Sequence, residues 1–93
     1  MEVAEVLERV RAIPEGKVAA YGEITPGAPR HAGRVLSESL EPDVPWWRVV
    51  RADGSLAKGL RQKALLRAEG VRFRGDRVDM EECRASGSST TSR

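Results

Sequence analysis

All five prolines of this chain, Pro14, Pro26, Pro29, Pro42 and Pro45, fall between positions 14 and 45. Proline has no amide hydrogen to give a helix or a sheet, and it drives the residue before it out of the helical region. The first half can therefore hold only short elements joined by tight turns. Val3, Val6, Leu7, Val10 and Ile13 recur at helical spacing, with Glu2, Glu5, Glu8, Arg9 and Arg11 between them. This predicts an amphipathic helix over about residues 2–12, ended by Pro14. Thr25-Pro26-Gly27-Ala28-Pro29 must be a loop or tight turn. Ala32, Val35, Leu36 and Leu40 then mark a second helix over about residues 29–40, with Pro29 in its first turn. Glu41-Pro42-Asp43-Val44-Pro45 is another turn.

The second half is free of proline. Trp46 to Val50 is short, apolar and β-favouring, with Arg48 inserted, and Ala52-Asp53-Gly54-Ser55 carries a hairpin-type turn signal. Leu60, Ala64, Leu65 and Ala68 mark a third helix over about residues 60–69, with Gly70 at its C-terminal cap. Val71-Arg72-Phe73 and Arg77-Val78-Asp79 form a small hairpin around Gly75-Asp76. Residues 81–93 read as a tail without a large apolar residue from Ala85 on, expected to be disordered. Residues 1–80 are then one domain, mainly α with short β. A helix, a turn, a second helix and a hairpin outline a winged helix-turn-helix, which pattern alone leaves as one candidate among several.

The composition removes other classes. A lone Cys83 cannot form an internal disulfide, and one Cys with one His31 cannot complete a zinc site without carboxylates. No local signature pairs Cys83 with His31 for catalysis, so no cofactor or metal is expected. Apolar runs are far shorter than the ~20 residues of a membrane span, and the acidic start is no signal peptide. The default is cytoplasmic. Net charge is distributed unevenly: −3 over residues 1–47, +6 over 48–77 and −1 beyond. A field of that density attracts phosphates. A solvated mixed-charge surface fits the composition equally well.

Four segments in order narrow the choice. They are Ile13-Pro14-Glu15-Gly16-Lys17-Val18-Ala19-Ala20-Tyr21-Gly22, then Arg30-His31-Ala32-Gly33-Arg34-Val35-Leu36. Val44-Pro45-Trp46-Trp47-Arg48-Val49-Val50 follows, and lastly Gln62-Lys63-Ala64-Leu65-Leu66-Arg67-Ala68-Glu69-Gly70. Over about residues 1–79 the chain resembles the DNA-binding, active-site domain of the O6-alkylguanine-DNA alkyltransferases. That family carries Pro-Cys-His-Arg where this chain has Pro45-Trp46-Trp47-Arg48. Tryptophan has no thiolate, so the resemblance is to the alkyltransferase-like proteins, which keep the fold and DNA binding without the nucleophile. The relay histidine is also replaced, by Trp47, which leaves Glu69 alone of the Cys, His and Glu set. Cys83 matches no family site and reads as incidental. Two further departures are Glu41, where the family has Asn, and a spacer of five residues between Ile24 and Arg30. That spacer predicts a trimmed first helix of the helix-turn-helix.

The resemblance implies roles residue by residue. Tyr21 would crowd a phosphate and help rotate the target nucleotide out, and Arg30 would enter the base stack in its place. Arg30 begins a recognition helix that, in the family, lies in the minor groove, and Gly27, Ala28, Ala32 and Gly33 suit close approach. Arg34 would face phosphate or solvent. Arg51, Lys58 and Arg61 would contact phosphates. The lesion pocket would be built from Trp46, Trp47, Arg48, Val49, Ser55 and Glu69. Within it, Trp47 packs beneath the site, and Arg48 either contacts the lesion or braces the loop by pairing with Glu69. Ser55 to Gly59 would be a lid. The implied function is a non-enzymatic sensor of O6-alkylguanine in double-stranded DNA. It would be a monomer associated with a bacterial nucleoid, marking lesions for UvrA-type damage-recognition proteins of nucleotide excision repair. The alternatives are a winged-helix regulatory domain without lesion specificity and alkyl transfer through another residue.

Overall fold

The computed structural model describes residues 2–39 and 41–85. Leu40, expected to close the second helix, and positions 86–93 of the expected tail lie outside them. Helix α1 spans Val3–Arg11 and buries Val6, Leu7 and Val10, the apolar stripe of the sequence pattern. Its acidic first turn and basic last turn both suit the helix dipole. A two-residue strand β1, Ala19–Ala20, leads directly into α2, Tyr21–Ile24. The Glu23 carboxylate accepts the Ala20 N–H at 2.8 Å and closes the start of that single turn. The five-residue spacer thus leaves one turn as the first helix of the helix-turn-helix. The buried Thr25 hydroxyl donates to the Ala28 carbonyl, and Gly27 takes φ +80 to complete the corner. Helix α3, Pro29–Glu38, follows with proline in its first turn.

A single 3₁₀ turn, Trp46–Arg48, delivers the chain into β2, Val49–Val50. Strand β2 pairs in parallel with β1, Ala19 opposite Val49 and Ala20 opposite Val50. Helix α4 covers Gly59–Ala68, and the antiparallel β3, Phe73–Arg74, and β4, Arg77–Val78, form the wing. The β1–β2 pair separates two cores, because successive residues of a strand face opposite sides. Ala19 and Val49 join α1, α2 and α3 around Val6, Val10, Ile24, Ala32 and Val35. Val18 and Val50 join α4 and the wing around Leu66, Val71 and Val78.

Two expectations need correction. Ala52-Asp53-Gly54-Ser55 is a turn, with Gly54 N–H on the Arg51 carbonyl at 2.8 Å, but not a hairpin, because the partner of β2 is β1. The tail does not begin at residue 81. Met80–Cys83 is a short helix, α5, and Cys83 is buried in the second core. Val18 N–H bonds the Cys83 carbonyl at 2.8 Å, and Ala85 N–H bonds the Val18 carbonyl at 2.7 Å. The free edge of Val18 attracts this segment, and Arg84 adds a 2.7 Å pair with Glu23. Cys83 therefore fills core volume and is not incidental.

Gly54 has φ +89, and a Cβ there would lie 2.5 Å from the backbone carbonyl oxygen of Val78. That oxygen is backbone and cannot give way as the end of a flexible side chain could. Gly54→Ala is expected to destabilise the fold by about 2 kcal/mol or more, read as a lower urea midpoint.

Candidate nucleic-acid interface

A 3₁₀ turn has three residues per turn, so its consecutive side chains leave in three directions. At Trp46–Arg48 this sends Trp46 to a surface cavity, Trp47 toward the second core, and Arg48 inward to Glu69. The cavity measures about 340 Å³, within the range of roughly 300–1,000 Å³ typical of small-molecule sites. Arg30, Gly33 and Ser37, spaced i, i+3 and i+7, bring one face of α3 to it, together with Pro29 and Leu36. Tyr21 packs across Gly33, where a Cβ would meet its ring at 3.8 Å. Arg51, Ala57 and Lys58 complete the wall from the loop after β2. The cavity thus has an apolar floor and a rim of three cations, with no carboxylate among its lining residues. The Arg61 guanidinium sits 5.7 Å from the Trp46 ring centroid. Burial pushes the Tyr21 phenol up, against the opposing charge of Arg51, so it stays a neutral donor at physiological pH.

Behind the wall lies a polar knot. The Arg48 Nη2 and Nε donate to Glu69 at 2.8 and 3.0 Å, and Arg48 Nη1 donates to the Ile13 carbonyl at 2.8 Å. Trp47 Nε1 donates to Glu69 Oε2 at 2.8 Å, and Gly16 N–H reaches Oε1 at 3.3 Å. The two charged side chains are only 15% and 12% exposed. Burial pushes the Glu69 carboxyl up, but the hydrogen bonds from Arg48, Trp47 and Gly16 and the Arg48 charge together outweigh it. The net pKa falls below the ordinary carboxylate range.

Of the residues expected at the interface, the structure gathers Tyr21, Arg30, Trp46, Arg51 and Lys58 around one cavity. It does not bring the others there. Trp47, Arg48 and Glu69 form the knot behind it, and Val49 is fully buried in the first core. Ser55 turns away because its hydroxyl and N–H both donate to Asp53 Oδ1, at 2.7 and 2.9 Å. Of the expected lid, Ala57 and Lys58 line the cavity and Leu56 packs on the second core. Arg34 is 77% exposed and approaches Glu38 at 3.9 Å, clear of the cavity. Its place one residue past Gly33 turns it around the helix.

Sequence reasoning missed Ser37, although its spacing from Arg30 was readable. It missed the work of Gln62, which is fully buried. Gln62 Nε2 donates to the carbonyls of Trp47 and Val49 at 3.0 and 2.8 Å, and its Oε1 accepts Lys58 N–H at 3.1 Å. It holds the Trp46 turn against α4. It also missed Arg11, which pairs with Glu41 and Asp43 at 3.1 Å and ties α1 to the proline-rich turn. Glu41 so replaces one bracing contact with another. Among the described residues no three His, Cys, Asp or Glu side chains cluster as a metal site, and no helix is long and apolar enough to cross a membrane.

Residues 3–71 match the family described as 6-O-methylguanine DNA methyltransferase, DNA binding domain. A DNA base-flipping protein of Vibrio parahaemolyticus is 38% identical over 79 residues, covering 74% of this chain and 79% of its own. Alkyltransferase-like protein 1 of Schizosaccharomyces pombe is 38% identical over 80 residues, covering 72% of this chain and 73% of its own. The crystal structure of S. pombe Atl1 in complex with damaged DNA containing O6-carboxymethylguanine is similar at a TM-score of 0.78 and 30% identity. That match spans 88% of this chain and 92% of the other.

The knot predicts an acid limb in stability. A carboxylate whose folded pKa is depressed adds stability above its unfolded value, about 4.3, and loses it as pH falls through the lower folded value. Glu69→Gln should cost about 3 kcal/mol at pH 7, because Arg48 is left unneutralised. The gap to the parent should shrink as pH falls below about 4. Urea titrations at pH 7 and pH 3 measure it, and a gap independent of pH would contradict the assignment.

Proposed function

The chain belongs to the 6-O-methylguanine DNA methyltransferase DNA-binding family, and on that premise we propose that it senses O6-alkylguanine in duplex DNA by flipping the base, without chemistry. The observation that carries this is the cavity itself. It is apolar at its floor, cationic at its rim, and closed on one side by Trp46, the residue that the resemblance aligns with the family's alkyl-accepting cysteine. A flat indole contacts alkyl groups of different size by area, not by bond formation. The sole cysteine is buried in the second core, where Arg72 N–H donates to its Sγ at 3.4 Å. A thiol buried in that core, apart from the cavity, is not placed to accept an alkyl group from a base held there.

The division of labour follows from position. The neutral Tyr21 hydroxyl, at the start of α2, meets a backbone phosphate and turns the nucleotide outward. Arg30, exposed at the start of α3, fills the vacated stack with its planar guanidinium. Arg51 and Lys58 hold phosphates on either side of the entry. Extrusion costs a few kcal/mol and least at a weakened pair, so a damaged guanine enters preferentially. The protein acts as a monomer in the bacterial cytoplasm. The occupied, distorted duplex is then handed to UvrA-type proteins of nucleotide excision repair. A ternary complex on lesion DNA with such a protein tests that last step.

Titration against a duplex with and without one O6-methylguanine is the decisive measurement. Preferential binding of the lesion is expected, and equal affinity would favour the winged-helix regulator instead. Arg30→Ala should weaken lesion binding about tenfold. With two rim cations, Arg51 and Lys58, on phosphates, log K should fall with log salt at a slope of about −2. Methyl label should stay wholly on the DNA.

A further inference from the structure

We propose that Trp47 is a positioning residue for lesion discrimination, holding Trp46 in place at the cavity although Trp47 does not line it. The inference rests on the lesion-sensing reading and adds what fixes the sensing surface. The two indole rings meet at 87° with centroids 5.8 Å apart, an edge-to-face contact. Trp47 is itself held from two sides. Its N–H donates to Glu69 Oε2 at 2.8 Å, and the Arg48 guanidinium lies 5.7 Å from its ring centroid. It also packs on the second core beside Leu66 and Val50. Arg61 lies 5.7 Å from the centroid of Trp46. Arg48, Trp47, Trp46 and Arg61 form one chain of contacts, anchored in the interior at Glu69 and reaching the cavity at Trp46.

Trp46 is only half-buried, and a half-buried side chain keeps rotamer freedom unless a neighbour removes it. A wall ordered before the ligand arrives avoids the ordering loss on binding. That gain is selective. An unflipped, undamaged base does not use the Trp46 wall, whereas an extruded alkylated base does. Loss of the anchor should therefore change the ratio of affinities more than either fold or phosphate contact. A histidine at position 47 would also offer Glu69 a ring N–H, but its single smaller ring has less surface to set against Trp46. The tryptophan thus converts a hydrogen-bond partner of Glu69 into a support for the lesion wall.

The test compares the parent with Trp47→Phe, which keeps an aromatic ring and removes the N–H. The first readout uses free protein. Nitrogen-15 relaxation of the Trp46 indole should give an order parameter near 0.85 in the parent, the level of rigid backbone, and below about 0.6 in the variant. The second is the ratio of dissociation constants for plain and O6-methylguanine duplexes. It should fall by roughly three- to tenfold in the variant, while plain-duplex affinity changes by less than twofold. A purely structural role would lower Tm and leave the ratio alone. Support requires both readouts to move; a mobile Trp46 in the parent, or either readout unchanged in the variant, overturns the proposal. If Trp47→Phe does not fold, Trp47→His is measured in the same way with the same expected outcomes. A parent without lesion preference would refute the sensing reading itself. A parent with preference and an unmoved ratio would refute only the role of Trp47.

Discussion

The Arg48–Glu69 pair is the interaction on which the interface depends. Arg48 leaves the Trp46 turn, Glu69 caps α4, and the remaining Arg48 nitrogen reaches the Ile13 carbonyl just beyond α1. Gly16 N–H adds the following turn to the same carboxylate. One knot therefore fixes three segments that are distant in sequence. Arginine suits this work because its planar fork satisfies two acceptors at once, which a lysine ammonium does not reproduce. Buried and nearly fully hydrogen-bonded, the pair is expensive to break from one side, whatever its net contribution when whole. The consequence for function is geometric. Trp46 is the residue two positions earlier, so its place at the cavity is set by where Arg48 is held.

The same knot sets the state of Glu69. Glu69 receives a fixed indole N–H from Trp47 and a guanidinium from Arg48. Burial pushes the Glu69 carboxyl up, but these hydrogen bonds outweigh it and keep the group charged. Gln62 works alongside it, satisfying the carbonyls of Trp47 and Val49 that the tight turn would otherwise leave buried and unpaired. The knot acts as a brace for the wall that carries Trp46.

Much of this was readable before the fold was seen. The three principal helices follow from apolar spacing and from Pro14, Pro29 and Gly70, and the short α2 follows from the five-residue spacer. Tyr21, Arg30, Trp46, Arg51 and Lys58 do converge on one cavity. Other features left no local trace. A two-residue strand has no period, so the parallel pairing of Ala19–Ala20 with Val49–Val50 could not be read. The Asp53-Gly54 signal gave the turn but not its partner. Met80–Cys83 shows too few apolar residues to mark a helix, yet it docks because Val18 offers an open edge.

The sequence by itself determined the extent of the three principal helices, the helix-turn-helix corner, the positive charge between residues 48 and 77, and the absence of a cysteine beside Pro45. These are local properties: backbone restriction by proline, freedom at glycine, and the chemistry of single side chains. Only the tertiary structure decided which members of the Trp46-Trp47-Arg48 run face the cavity and which face inward. It also decided that Ser55 turns to Asp53, that Arg34 stays in solvent, and that Cys83 belongs to the core. The physical reason is that a 3₁₀ turn divides neighbours among three directions. Which direction is interior depends on partners at Ile13, Gly16 and Glu69 that no local window contains.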